Sequence, residues 1–265
     1  MSFEKRDLEA KYILKIEEES MKSITLTPIV GLPLVQHDDD LSSLINTALT
    51  EQHYALEDGD IVVIAQKLVS KAEGRVVALS SITPTEQALQ LAKQTGRDAR
   101  LCQVFLNEST EILRVKGRVI VTKHRLGFEC SSAGVDRSNV APHSDGLVSL
   151  LPANPDRSAT LIREGLTALS GKTTGVIIND SFGRHDRDGA IGIAIGIAGI
   201  SHLEVRSQHD LYGNEMNARI ALVDEIAAAA SILMGQGDEK VPAVVVRGVH
   251  YTHDERASIT KLLNL

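Results

Sequence analysis

The chemistry in this chain is concentrated in a few short polar stretches. In "GVIINDSFGRHDRDG" (175–189), an apolar run from Gly175 to Ile178 gives way to Asn179, Asp180 and Ser181, then to Arg184, His185, Asp186, Arg187 and Asp188. An aspartate where a buried strand ends suits a hard divalent cation. The strand fixes the backbone and the loop presents the side chain. Asp180 and Ser181 offer two oxygen donors side by side, although Asp180 could equally cap the next turn. In "SSAGVDRSNV" (131–140), Asp136 and Asn139 could face one centre around a turn at Gly134; by itself that spacing is more often turn chemistry. In "AQKLVSKAEG" (65–74), Lys67 and Lys71 could meet phosphates as point charges, or simply be solvated. In "LMGQGDEKV" (233–241), Gln236 carries an amide oxygen able to bind metal, although the glycines also read as a plain helix stop.

Several elements must position these residues. The apolar pattern predicts strands at 21–35, 60–70, 118–124, 126–130, 174–180, 202–208 and 241–248, the one at 60–70 leaving a turn at Asp58-Gly59. A helix is predicted over 83–96, with Thr83 as cap, Pro84 at its first position, Glu86 completing a capping box and Gly96 as the stop. Further helices are expected at 157–169 and over an alanine-rich stretch from 218 to the glycines 235 and 237. Gly189, Gly192, Gly196 and Gly199 fit close backbone packing better than phosphate binding. Strands and helices are interspersed with no regular βα repeat. The expected class is α+β, with mixed sheets and flanking helices, and the topology does not follow from the pattern. Residues 1–22 read as an N-terminal extension and 23–265 as one domain, with two lobes allowed.

Composition narrows the function. The 265 residues are 43% hydrophobic and 24% charged, enough for a sizeable core. A net charge of -7 and an aromatic content of 3% without tryptophan disfavour nucleic acid and anionic membranes as partners. Cys102 and Cys130 form no CxxC pair, and the first twenty residues contain no apolar core of a secretory signal. "AIGIAIGIAGI" covers roughly half of what a bilayer span needs. A cytoplasmic protein is expected. Neither a Walker motif, a GxSxG elbow nor an HExxH is present; "LSGKTTG" has the GKT without the upstream glycine.

Taken in order, "GLPLV", "DIVVIAQKLVSKAEG", "AGVDRSNV", "NDSFGR" followed by "AIGIAG", and "DEIAAAASILMGQ" resemble the coenzyme F420-0 γ-glutamyl ligases over most of residues 24–250. The resemblance implies a GTP-dependent ligase that attaches L-glutamate to F420-0 through an acyl phosphate, with Mg²⁺ or Mn²⁺ and room for a monovalent cation. It also implies an intertwined homodimer and a fold unlike P-loop or ATP-grasp proteins. By that resemblance Leu32, Pro33, Leu34 and Val35 lie against the nucleotide, and Gln66, Lys71, Asn139 and the run Met234, Gly235, Gln236 and Gly237 contact it. Asp136 and Asp180 become metal ligands, with Ser181 and Gln236 serving a second metal. Asp180 is placed at the catalytic centre, with Arg184 and Arg187 on anionic substrate groups. His185 stands where the family usually has proline. This change bears on the acceptor, so a ligase of the same family working on another carboxylate stays open. A metal-dependent phosphohydrolase and a non-catalytic nucleotide-binding protein are the readings from other classes.

Overall fold

The computed structural model describes residues 23–140, 146–184 and 187–263. Along the chain run β1 (Thr25–Ile29), α1 (Leu41–Glu51), β2 (Ile61–Ala65), α2 (Gln66–Ala72), β3 (Val76–Ala78), α3 (Glu86–Thr95), α4 (Ala99–Glu108), β4 (Ser109–Lys116), β5 (Val119–His124), β6 (Glu129–Ser131), β7 (Leu147–Ser149), α5 (Pro155–Ser170), β8 (Gly175–Arg184), β9 (Arg187–Ala198), β10 (Glu204–His209), β11 (Glu215–Ile220), α6 (Leu222–Met234) and β12 (Ala243–Arg247). Ile61 to Ile64 and Val244 to Val246 are β-branched and buried, the composition of strands covered on both faces. They form the middle of a five-stranded sheet ordered β1-β12-β2-β8-β9. In it β2 and β8 are parallel and the other neighbours antiparallel. Helices α1, α5 and α6 supply the apolar residues that bury this sheet.

A second, smaller core lies between α3, α4 and the antiparallel sheet β4-β5-β6, around Phe105, Ile120 and Val148. Strands β3 and β7 pair as a short ladder, and β10 and β11 pair as a ribbon that joins no other sheet among the described residues. Helical and strand content are mixed among separate sheets, which is the expected α+β class.

Close approach explains the glycines of β9. A Cβ on Gly196 would collide with the backbone of Pro155 at the start of α5, and one on Gly192 would collide with Ser231 and the Ala227 carbonyl of α6. Two helices thus seat directly on one strand because those positions have no side chain.

The structure corrects several sequence expectations. The segment 60–70 is not one strand: β2 stops at Ala65 and α2 starts at Gln66 with no residue between. An apolar run bounded by buried positions does not itself distinguish strand from helix. The first strand spans only 25–29, so "GLPLV" is a loop. The helix predicted from 83 begins at Glu86, capped by Thr85, whose hydroxyl accepts from the Ala88 N–H; Glu86 is therefore its first residue and forms no capping box. Gly96 ends it in the left-handed conformation as expected. The residues 218–220 belong to β11, and α6 starts only at Leu222. Strand β8 does not stop at Asp180 but continues to Arg184, because β9 pairs with it throughout.

Candidate active site

Since β2 and β8 run parallel, their C-terminal ends lie together, with Ala65 opposite Asn179. Such ends are where ligands commonly meet an open sheet. Gln66 follows Ala65, and Asp180 follows Asn179, so two distant segments deliver polar side chains to one place. The register of β8 against β9 slips between Ile178 and Asn179, leaving Ile195 as the extra residue. A bulge of this kind re-aims the side chains beyond it. Asp224 of α6 accepts a hydrogen bond from the Ala194 N–H beside the slip (2.9 Å), which satisfies that donor.

Asp136 arrives from the other core. Its backbone forms an isolated bridge with Ser149 at the end of β7, with N–H···O distances of 2.9 and 2.8 Å. Its side chain is held from α2: Gln66 Nε2 donates to Oδ2 at 3.0 Å, and Lys67 Nζ lies 3.2 Å from the same oxygen. The Gln66 amide is in turn oriented by Ser70 Oγ, which donates to its Oε1 at 2.8 Å. Lys67 Nζ also donates to the Ser138 carbonyl at 3.0 Å.

Asp136 and Asp180 line one cleft of about 230 Å³, which Cys130, Ser181 and Phe182 also line. Phe128 packs edge-on against Phe182 beside it, with ring centroids 6.0 Å apart. Burial pushes the Asp180 carboxyl up to about 7, and the Asp136 charge pushes in the same direction. The Ser181 N–H, donating to Asp180 Oδ1 at 2.8 Å, and the Lys67 charge offset only part of this. Burial, then the Asp180 charge, push the Cys130 thiol up to about 12, so it stays protonated and is no nucleophile at neutral pH. Lys71, one helical turn beyond Lys67, is half-buried and has no hydrogen-bond or ion-pair partner among the described residues; burial and then Lys67 lower its pKa.

The loop after α6 closes over the same place. Gln236 Nε2 donates to Ser181 Oγ at 2.7 Å, and Asn139 Nδ2 donates to the Gly237 carbonyl at 2.9 Å. Glu239 accepts from the N–H groups of Gln236 and Gly237 at 3.4 and 2.8 Å. The helix end is fixed by Asn179, whose Nδ2 donates to Ser231 Oγ (2.9 Å) and to Met234 Sδ (3.4 Å).

The structure therefore brings together Gln66, Asp136, Asn139, Asp180, Ser181, Gln236 and Gly237. Met234 is turned into the core instead, and Gly235 serves as the helix stop. Leu32, Pro33, Leu34 and Val35 form a loop after β1, with Val35 buried and Leu34 exposed, and none of their hydrogen bonds among the described residues reaches Asp136 or Asp180. Arg184 pairs in register with Arg187 at the far end of β8 and β9, and its buried Nε has no partner among the described residues. His185 and Asp186 lie outside the described residues. Sequence reasoning missed Ser70 and Asn179, and it read Lys67 as a phosphate contact or a solvated lysine rather than as a partner of Asp136. The spacing of Gln66 to Ser70, four residues, would have signalled contact had α2 been recognised as helical.

The donors fit a hard divalent cation: two carboxylates, a hydroxyl and an amide oxygen. No group of three His, Cys, Asp or Glu able to hold a metal occurs among the described residues, which argues against a zinc-type cage. Among the described residues no helix is long and apolar enough to cross a membrane.

Comparison with known proteins bears on what such a cleft does. The sequence profile of the family described as F420-0:Gamma-glutamyl ligase matches residues 30–248. The coenzyme F420:L-glutamate ligase of Methanothermobacter thermautotrophicus is 47% identical over 232 residues, covering 87% of this chain and 91% of the relative. The enzymes of the same name from Methanocaldococcus jannaschii and Archaeoglobus fulgidus are 44% and 40% identical, covering 78% and 86% of this chain and 82% and 88% of their own lengths.

Proposed function

The chain belongs to the F420-0:gamma-glutamyl ligase family, and from that premise we propose that it is a GTP-dependent ligase joining the amine of L-glutamate to a carboxylate of coenzyme F420-0. The single observation that carries the reading is the convergence of Asp136 and Asp180, from two separate cores, on one cleft that Ser181, hydrogen-bonded to Gln236, also lines.

A carboxylate and an amine do not condense in neutral water, so the acceptor must be activated. Transfer of the γ-phosphoryl group of GTP to the acceptor carboxylate forms an acyl phosphate and GDP. The glutamate amine then attacks the acyl carbon, the C–O bond to phosphate breaks, and the amine proton passes to solvent. Phosphoryl transfer demands positioning and charge neutralisation more than covalent help from the protein. Asp136, Asp180, Ser181 and the Gln236 amide oxygen would hold Mg²⁺ or Mn²⁺, which when bound supplies that neutralisation at the phosphate oxygens. Lys71, half-buried and without an acidic partner among the described residues, suits a phosphate oxygen. Arg184 is assigned to an anionic group of the substrates. The cleft accommodates the phosphoryl end of a nucleotide, with the base and the acceptor extending beyond it.

The unpaired ribbon of β10 and β11 supports a homodimer. A two-stranded ribbon is marginal by itself, and Val205, Leu211, Tyr212 and Met216 on it are exposed; a second copy of the chain would cover them. Light scattering at micromolar concentration tests this, and a monomer refutes it. The buried free thiols Cys102 and Cys130 support a reducing, cytoplasmic setting.

The test of function is mass spectrometry of F420-0 incubated with the protein, GTP, Mn²⁺ and L-glutamate. A product heavier by one glutamyl residue, with GDP release requiring both acceptor and glutamate, is expected. GTP hydrolysis without either would identify a phosphohydrolase, and binding without turnover a nucleotide-binding protein. Equal turnover with ATP at sub-saturating nucleotide would remove the guanine preference.

A further inference from the structure

Lys67 is not a solvated surface lysine. Its ammonium is fixed between two acceptors, Asp136 Oδ2 at 3.2 Å and the Ser138 carbonyl at 3.0 Å. Its side chain is 21% exposed, and it sits on a helix whose first residue, Gln66, grips the same carboxylate oxygen. It is the ammonium in direct contact with Asp136, and its charge also reaches Asp180; among the described residues Lys71 has no such contact. A fixed positive charge therefore already satisfies much of the negative potential that would draw a divalent cation to Asp136 and Asp180.

We infer that Lys67 is a built-in counter-ion that opposes binding of a free divalent cation and so makes cation binding depend on an accompanying polyphosphate. The inference rests on the reading of the cleft as a metal and nucleotide site. Without nucleotide, a cation entering the cleft meets two carboxylates and one ammonium held against Asp136. With nucleotide, the phosphate oxygens bring negative charge of their own, and the ammonium gains an anion to face. The two ligands then bind with positive coupling, and that coupling is reciprocal by linkage. A lysine serving only to tether the Ser138 loop would have the opposite signature, since loosening the loop would weaken cation binding.

The experiment measures Mn²⁺ binding by the electron paramagnetic resonance of the free ion, with and without saturating GDP, in the wild type, Lys67→Met and Lys67→Arg. Lys67→Met keeps the aliphatic stem, and Lys67→Gln repeats the comparison if Met compromises folding. Without GDP, Lys67→Met is expected to bind Mn²⁺ about tenfold or more tightly than wild type, the order set by removing one charge a few ångströms away in a partly buried site. The enhancement of Mn²⁺ affinity by GDP should shrink by the same factor, and Lys67→Arg should behave as wild type. If Lys67→Met binds free Mn²⁺ as weakly as wild type or more weakly, while GDP still promotes Mn²⁺ binding to the wild type, this inference alone falls. If the wild type takes up no Mn²⁺ even with GDP, the reading of the cleft falls and this inference with it.

Discussion

Asp180→Asn separates stability from function in a way the geometry makes quantitative. The folded protein holds the Asp180 carboxyl at about 7 against an ordinary 3.8, chiefly because burial disfavours its charge and secondly because Asp136 repels it. A raised carboxylate pKa means that the folded state keeps a proton the unfolded state has lost. Stability of the metal-free protein must therefore fall as pH rises from about 4 to about 7, and the loss is complete above the folded value. About three pH units at about 1.4 kcal/mol each gives about 4 kcal/mol as the upper size of this loss. The carboxylate is partly open to the cleft, so water screening reduces it to roughly 2–4 kcal/mol. Asparagine has nearly the same shape and no charge to bury. Metal-free Asp180→Asn should consequently melt higher than wild type at pH 8, by roughly 5 °C or more for a chain of this size, and show little difference at about pH 4. Its ligation rate should collapse, because a charge needed at the phosphate-transfer centre is gone. The assay is thermal unfolding in chelator at the two pH values, paired with product mass spectrometry. Equal melting temperatures at pH 8, or a gap that is the same at both pH values, would refute the account of Asp180 as a strained, cation-seeking carboxylate.

Three further outcomes follow from other contacts. Lys71→Ala should weaken GDP binding about tenfold in calorimetry with Mn²⁺ present, and added salt should weaken the wild type more than the variant; unchanged affinity at both salt concentrations places the nucleotide elsewhere. Gly192→Ala forces a Cβ to 2.8 Å from both the Ala227 carbonyl and Asn179 Oδ1 and against Ser231, so urea unfolding should show a loss of about 1–3 kcal/mol or more, and a neutral substitution contradicts the seating of α6 on β9. Burial raises the Glu108 carboxyl, but His124, Arg75 and Arg125 outweigh it and hold the group at about 2; its contribution is complete above about 4.5 and lost as pH falls toward 2, so Glu108→Gln should cost about 3 kcal/mol at pH 7 and flatten the acid limb of the stability curve between those values.

Local chemistry in the sequence was enough to determine much of this protein. The β-branched runs at 61–64 and 244–246 read as strands and Gly96 as a helix stop, and the structure has them so. The glycines of β9 were legible as packing positions because a missing Cβ matters most where backbones touch. Asp180, Ser181, Asp136 and Gln236 were each identifiable as oxygen donors from residue type and neighbours, and the order of five short motifs pointed to the family. Tertiary structure alone decided that these donors share a cleft. Asp180 is 44 residues from Asp136 in the chain. They meet because β2 and β8 pair in parallel, because Asp136 is pinned to Ser149, and because Asn179 ties α6 to β8 and so delivers Gln236 to Ser181. The continuation of β8 through Asp180 to Arg184 also depends on its partner, since polar residues stay in a strand when the neighbouring strand supplies the hydrogen bonds. The change from strand to helix at Ala65–Gln66 was hidden for a related reason: both sides are buried, and the periodicity that distinguishes them is set by what packs around the chain rather than by the chain itself.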